Sequence, residues 1–225
     1  MTQAPIVCVL DYGVGNLQSV QQAFEVCGAN VITIDNLHIL DKENCLGLVL
    51  PGVGAFAEAM GVLERKNLIK PLQDYMGANR PFLGICLGMQ MMLEASEEFG
   101  FHQGLGLVGG TVKKIPETAS TGLPHRIPHI GWNVLLKHTA DGNQAWSGTI
   151  LEDLEEGLDS VYFVHSYAAY PNDENMILAD TVYNGRRFCA AIRHGNLYGC
   201  QFHPEKSGKT GLKILSRFLE SISTN

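Results

Sequence analysis

No stretch of this chain is apolar for long enough to cross a bilayer. The longest candidate, 45–63, is interrupted by Pro51, by glycines at 47, 52 and 54, and by Glu58, a pattern that a lipid-buried helix does not carry. No membrane partner is therefore expected. Basic residues are few as well: 16 Lys and Arg stand against 23 acidic residues, the net charge is −7, and nowhere do the cations cluster. That balance excludes nonspecific nucleic-acid binding. The six cysteines (8, 27, 45, 86, 189, 200) form no CxxC pair and no compact framework, which points to reduced thiols and a cytoplasmic location. Met1 to Leu10 lacks a basic leader and meets Asp11 at once, so no signal peptide is expected. With no repeat or low-complexity tract, the 225 residues read as one domain, 1–225, of ordinary composition and with ample length for a core.

What the chain does have is centred on Pro81-Phe82-Leu83-Gly84-Ile85-Cys86-Leu87-Gly88-Met89-Gln90. An apolar strand-like run meets one cysteine and passes straight into a helix-like run, with glycines two residues before and two after the thiol. This is the pattern of a nucleophile elbow with Cys in place of Ser. The turn is strained, and side chains at Gly84 and Gly88 would collide where strand and helix pack together. A helix N-terminus favours the thiolate, and the Leu87 N–H is placed to donate to a developing oxyanion. A buried cysteine in a Gly-rich turn is the competing structural reading. Two distant stretches weigh against it. Gln201-Phe202-His203-Pro204-Glu205 offers a base at a strand end with a carboxylate two residues on, and Leu50-Pro51-Gly52-Val53-Gly54 offers a second oxyanion donor near Val53.

Taken in order, Ile6–Leu10, Val31–Ile34 and Leu46–Leu50 read as buried parallel strands, with helices over Leu17–Cys27, Ala55–Leu63 and Leu68–Met76. The glycines at 13 and 15, with Asp35 beyond them, imitate a dinucleotide fingerprint, but Gln18 stands where its third glycine belongs. Alternation up to Leu93, taken as helix from Leu87 onward, argues for an α/β fold with a mostly parallel, mixed central sheet flanked by helices. After Glu98 the texture turns Gly-rich. Thr111–Ile115 reads as an exposed strand, and short strands follow at Val134–Leu136, Val161–Val164, Met176–Val182, Phe188–Ile192 and Leu197–Phe202. These are expected to join the same sheet as an antiparallel meander, closed by an amphipathic helix over Gly211–Ile222. Gly208-Lys209-Thr210 resembles the tail of a phosphate loop, but His203 replaces its first glycine. His125 and His129 lie between prolines in a loop, with no thiol or carboxylate at ligand spacing, so no metal is expected. His165 either lines the pocket or is a satisfied core histidine.

The elbow, the His-Pro-Glu stretch and the Pro-Gly-Val-Gly loop together resemble the class I (triad) glutamine amidotransferases, over nearly the whole chain from Ile6 to about Phe218. The resemblance implies a flavodoxin-like fold and no cofactor. It makes Cys86 the nucleophile that forms a γ-glutamyl thioester from L-glutamine, His203 the acid/base and Glu205 its orienter. Val53 and Leu87 become the oxyanion donors. Gly52, Gln90, Glu98, His165, Ser166 and Tyr167 fall where that family holds its substrate. Asp11–Val20, Pro51–Phe56, Ile127–Asn133 and Tyr162–Tyr167 are similar to the glutaminase subunits of imidazole glycerol phosphate synthases. That implies delivery of ammonia to a (β/α)₈ cyclase subunit in a heterodimer serving histidine biosynthesis, docked around Asn16, Trp132, Tyr162 and Lys206. Two other readings share parts of these features: a stand-alone cysteine hydrolase such as a γ-glutamyl peptidase, and a catalytically idle binding subunit.

Overall fold

The computed structural model describes residues 4–40, 43–138 and 146–223. Its main sheet begins with β1 (Ile6–Leu10), followed by α1 (Leu17–Val26), β2 (Asn30–Ile34), β3 (Gly47–Gly52), α2 (Phe56–Arg65), α3 (Ile69–Gly77), β4 (Phe82–Cys86) and a short α4 (Leu87–Met91). In β1, Val7 and Val9 pack with α1 while Cys8 and Leu10 pack with α2 and α3, so both faces of the strand are covered. That is why the parallel strands are apolar without alternation. β5 (Leu93–Ser96), β6 (His102–Gln103), β7 (Val108–Lys114), β8 (His129–Val134), β9 (Leu136–Lys137), β10 (Ser160–His165) and β11 (Tyr167–Pro171) follow. The chain closes with β12 (Ile177–Tyr183), β13 (Arg186–His194), β14 (Leu197–Cys200) and α5 (Gly208–Ser223).

The large sheet has the order β2-β1-β3-β4-β14-β13-β12-β9. Its first five strands run parallel, and β13, β12 and β9 extend it antiparallel. The α/β class with a mostly parallel mixed sheet is thus as expected, and the parallel part has the flavodoxin-like order. α5 lays Ile214, Leu215, Phe218 and Ile222 against the sheet, and Phe218 meets Phe24 of α1 edge-on with centroids 6.1 Å apart.

Three expectations need correction. The helix after the elbow ends at Met91 rather than running to Leu93, because the backbone N–H groups of residues 104–108 bond the carbonyls of Met91, Met92, Leu93 and Glu94 and draw the chain out into β5. The second half does not join one sheet: β11-β7-β5-β6 form a separate four-stranded sheet and β10-β8 a two-stranded one. β7 is not an exposed strand, since Val108, Gly110 and Val112 are buried and only its Lys113-Lys114 end is exposed. Among the described residues no helix is long and apolar enough to cross a membrane.

Candidate active site

Cys86 ends β4 with φ 54° and ψ −107°, a left-handed conformation for a side-chain-bearing residue. Such a backbone costs of order 1–3 kcal/mol and persists only where its surroundings hold it. Here they are glycines by necessity. A Cβ on Gly88 would lie 1.8 Å from the Leu50 carbonyl oxygen, and one on Gly84 would lie 2.8 Å from the Gly88 backbone. Both clashes match the collision expected from sequence.

β14 runs parallel beside β4, Cys200 opposite Ile85, and so delivers Gln201, Phe202 and His203 to the same carboxyl edge as the thiol. A single 3-10 turn, Pro204–Lys206, folds Glu205 back so that its Oε1 accepts from His203 Nδ1 at 2.8 Å. Both side chains are almost wholly buried. His203 Nε2 makes no conventional hydrogen bond among the described residues and lies within electrostatic reach of the Cys86 sulfur. Burial alone would depress the ring's pKa; the Cys86 sulfur and the Glu205 carboxylate outweigh it and raise it to about 10. The ring is therefore held as imidazolium facing the sulfur.

These groups open onto a cavity of about 360 Å³ lined by Val53, Gly54, Cys86, Leu87, Gln90, Glu98, His165, Ser166, Tyr167 and His203, with Pro128 and Val164 completing the wall. Most of the sequence-based site residues thus meet in one place. Among the residues expected to contact substrate, Gly52 is the exception: it lies outside the lining, opposite Cys86 in the β3–β4 ladder, where an added Cβ would meet the Tyr12 hydroxyl at 2.7 Å. That hydroxyl donates to the Pro51 carbonyl at 3.0 Å and ties down the end of β3. Freedom at the strand end lies one residue past Val53, at Gly54, whose φ is +92° in open space. Glu98 lines the cavity but also caps α2, its Oε2 accepting from Phe56 N at 2.6 Å.

His165 is buried in a chain of contacts that sequence reasoning did not anticipate. Its Nδ1 lies 2.8 Å from the Tyr167 carbonyl and its Nε2 3.0 Å from His129 Nδ1. His129 Nε2 in turn lies 2.8 Å from Asn133 Oδ1, and Asn133 Nδ2 donates to the Val182 carbonyl at 2.8 Å. Two neutral imidazoles and one amide, each offering one donor and one acceptor along this line, bridge two carbonyls. Four contacts then share three donors, so the chain is one proton short. Desolvation pushes His165 down to about 3 and lowers His129 as well, so both rings stay neutral. The mixed environment of a Pro-bounded loop hid this: Ile127–Asn133 carries no local signal that His129 and His165 will be brought face to face by the β8–β10 pairing.

Outside the cavity, Trp132 and Tyr162 are opposite residues of β8 and β10 and stack edge-on, centroids 5.9 Å apart. Trp132 and Ile130 are 55% and 56% exposed on one face of β8. Lys206 is exposed at the end of the turn that carries Glu205, and Asn16 begins α1, which packs against that turn. Tyr162, whose carbonyl accepts from His203 N, Lys206 and the start of α1 at Asn16 thus lie near the turn that carries Glu205, with Trp132 across the strand pair from Tyr162.

A cysteine on an elbow, a buried His–Glu pair facing it and a cavity at the carboxyl edge of a parallel sheet are the equipment of acyl transfer through a thioester. The profile of the family Glutamine amidotransferase class-I matches residues 8–222. The chain is 49% identical over 215 residues to imidazole glycerol phosphate synthase subunit HisH 1 of Legionella pneumophila (strain Lens), covering 95% of this chain and 98% of that one. It is 45% identical to the HisH subunit of Aquifex aeolicus over 213 residues, covering 93% and 94%. Its fold superposes on the structure of PurLQS from Thermotoga maritima with a TM-score of 0.68 at 20% identity, over 97% of this chain and 99% of that chain. The chain belongs to the class-I glutamine amidotransferases and, among them, to the HisH subunits of imidazole glycerol phosphate synthase.

Proposed function

We propose that this chain is the single-domain glutaminase subunit, 1–225, of a heterodimeric imidazole glycerol phosphate synthase, with Cys86 as nucleophile. The observation that carries the reading is the buried His203 ring, its Nδ1 2.8 Å from the Glu205 carboxylate, lining the same cavity as the Cys86 sulfur. The Cys86 sulfur attacks the carboxamide carbon of L-glutamine. His203 passes its proton to the leaving nitrogen, ammonia departs and a γ-glutamyl thioester remains. Water, deprotonated by His203, then releases glutamate and restores the thiol. The Leu87 N–H is one oxyanion donor. The second is the Val53 N–H on the peptide between Gly52 and Val53, which the glycines on both sides of Val53 leave free to turn, with the preceding Pro51 carbonyl anchored by Tyr12.

Gln90, Glu98 and the 165–167 backbone hold the amino-acid end of the substrate, with Gly52 shaping the wall behind. The partner is a (β/α)₈ cyclase that receives the ammonia and docks on the face of Asn16, Trp132, Tyr162 and Lys206. The complex works in the cytoplasm, without nucleic acid or cofactor. One experiment tests the whole: ammonia release from glutamine by the purified chain, alone and with a cyclase subunit carrying its acceptor. A missing oxyanion donor is worth roughly 10²–10³ in rate, so stimulation of at least that size is expected. Equal rates with and without the loaded partner would remove the switch at Val53.

A further inference from the structure

Gln201 has so far been only the residue before Phe202-His203. It is fully buried, and its side chain turns under the elbow, where Nε2 donates to the Cys86 sulfur at 3.7 Å. Its Oε1 accepts from Gln90 Nε2 at 2.9 Å, and the same Gln90 nitrogen donates to the Tyr167 carbonyl at 2.9 Å. The polarity of this line is fixed from one end. A backbone carbonyl can only accept, so Gln90 must turn its NH₂ toward Tyr167. Gln201 must then show that NH₂ its oxygen, which leaves its own NH₂ for the sulfur. Reversing either amide would set donor against donor or acceptor against acceptor.

We infer that Gln201 is a further functional residue of this site, one that hydrogen-bonds the reacting sulfur and orients Gln90. The inference rests on the reading of Cys86 as nucleophile. Two consequences follow from the donor and acceptor pattern. A donor on the sulfur favours the thiolate over the thiol. With both Gln90 N–H groups engaged, only Gln90 Oε1 is left to a ligand in the cavity, so that position accepts and selects an N–H-bearing group of the substrate over a carboxylate. Gln201 thus links nucleophile activation to the orientation of Gln90 toward the substrate's α-amino group.

Gln201→Met keeps the volume and removes both functions; Gln201→Glu keeps an acceptor for Gln90 and replaces the amide donor at the sulfur by a carboxyl oxygen. Both are read in the full chain with its cyclase partner, by glutamine kinetics and by the pH profile of Cys86 alkylation with iodoacetamide. Thermal melting and ammonium-dependent synthesis serve as folding controls. Gln201→Met is expected to raise KM about 3- to 10-fold, the worth of one hydrogen bond, and to shift the alkylation midpoint to higher pH. Gln201→Glu is expected to shift the midpoint while leaving KM near wild type, a split that a purely structural role does not produce. A folded Gln201→Met with unchanged KM and midpoint overturns the inference, as does an unshifted midpoint in Gln201→Glu if the first variant does not fold. If Cys86 of the unmodified chain is not the alkylated thiol, the failure lies in the nucleophile assignment instead.

Discussion

The pull of the Cys86 sulfur and the Glu205 carboxylate on the His203 ring is the most directly testable feature of the site. Cys86→Ala removes the sulfur's share of the pull that lifts His203 to about 10, while the Glu205 contact remains. Glutamine hydrolysis is expected to disappear, ammonium-dependent synthesis in the complex to persist, and the His203 ring to titrate at lower pH by NMR. A ring that still titrates near 10 in Cys86→Ala would show that the sulfur does not hold the proton. The linkage has a definite sign. A histidine raised in the folded state contributes stability fully below its unfolded value of roughly 6.5 and loses it as pH climbs through about 10. The unmodified chain is therefore expected to lose more stability than Cys86→Ala over that alkaline window. At this scale Cys86, His203 and Glu205 were legible from sequence, because the glycine bracket and the His-Pro-Glu spacing are local. Gln201 carried no separate signal; its meaning depends on the Tyr167 carbonyl, 34 positions away.

At the scale of elements, the elbow exists because β3 and α4 approach closely enough to forbid a side chain. Gly88→Ala places a methyl 1.8 Å from the Leu50 carbonyl oxygen, a forced separation that costs at least ~3 kcal/mol. For a domain of this size that corresponds to a drop in Tm of roughly 6–12 °C. Gly54→Ala meets open space and only the strain of its φ, so its melting temperature is expected to fall by less, with its effect read instead in a reduced partner-stimulated glutaminase rate. Equal Tm losses in the two variants would undo the distinction between a packing glycine and a hinge glycine. The antiparallel β8–β10 pair adds a second test. His129 and His165 stay neutral when buried, so protonation of the unfolded chain is expected to erode stability as pH falls below roughly 6.5 toward the folded value of about 3 for His165. His129→Phe keeps a ring between Phe163 and Tyr183 but removes one titration, and a shallower acid limb in Tm against pH is the expected result. The short strands β5, β8 and β11 were not legible, since each is defined by a partner segment rather than by its own pattern.

Across the whole molecule, the carboxyl edge of the large sheet gathers the elbow, the base and Val53 around one cavity, while the separate β8–β10 pair carries the aromatic pair Trp132–Tyr162. An apolar exposed face beside a catalytic cavity fits a partner that both covers and activates it. Lys206 directly follows Glu205 on the same turn, so its displacement reaches the triad through one peptide. Lys206→Glu is expected to weaken cyclase binding or to reduce the stimulated rate while leaving ammonium-dependent synthesis intact; calorimetric titration and coupled assay read the two effects. Unchanged affinity and coupling would take Lys206 out of the interface.

The α/β class, the elbow and the candidate base with its carboxylate were legible from the residues alone, because apolar strands buried on both faces, glycine brackets and two-residue spacings are written within a few positions of one another. Most of the cavity's residues were legible too, through motifs whose resemblance spans nearly the whole chain. Tertiary structure alone decided what those residues do to one another. Strand order set β14 beside β4 and so brought the Gln201 amide and His203 to Cys86. The separate β10–β8 sheet set His129 against His165, and the close approach of Leu50, rather than flexibility, made Gly88 obligatory. The physical reason is the same in each case: hydrogen-bond polarity, steric exclusion and burial act between groups that are neighbours in space, and the pairing of distant strands, which no local pattern encodes, decides who those neighbours are.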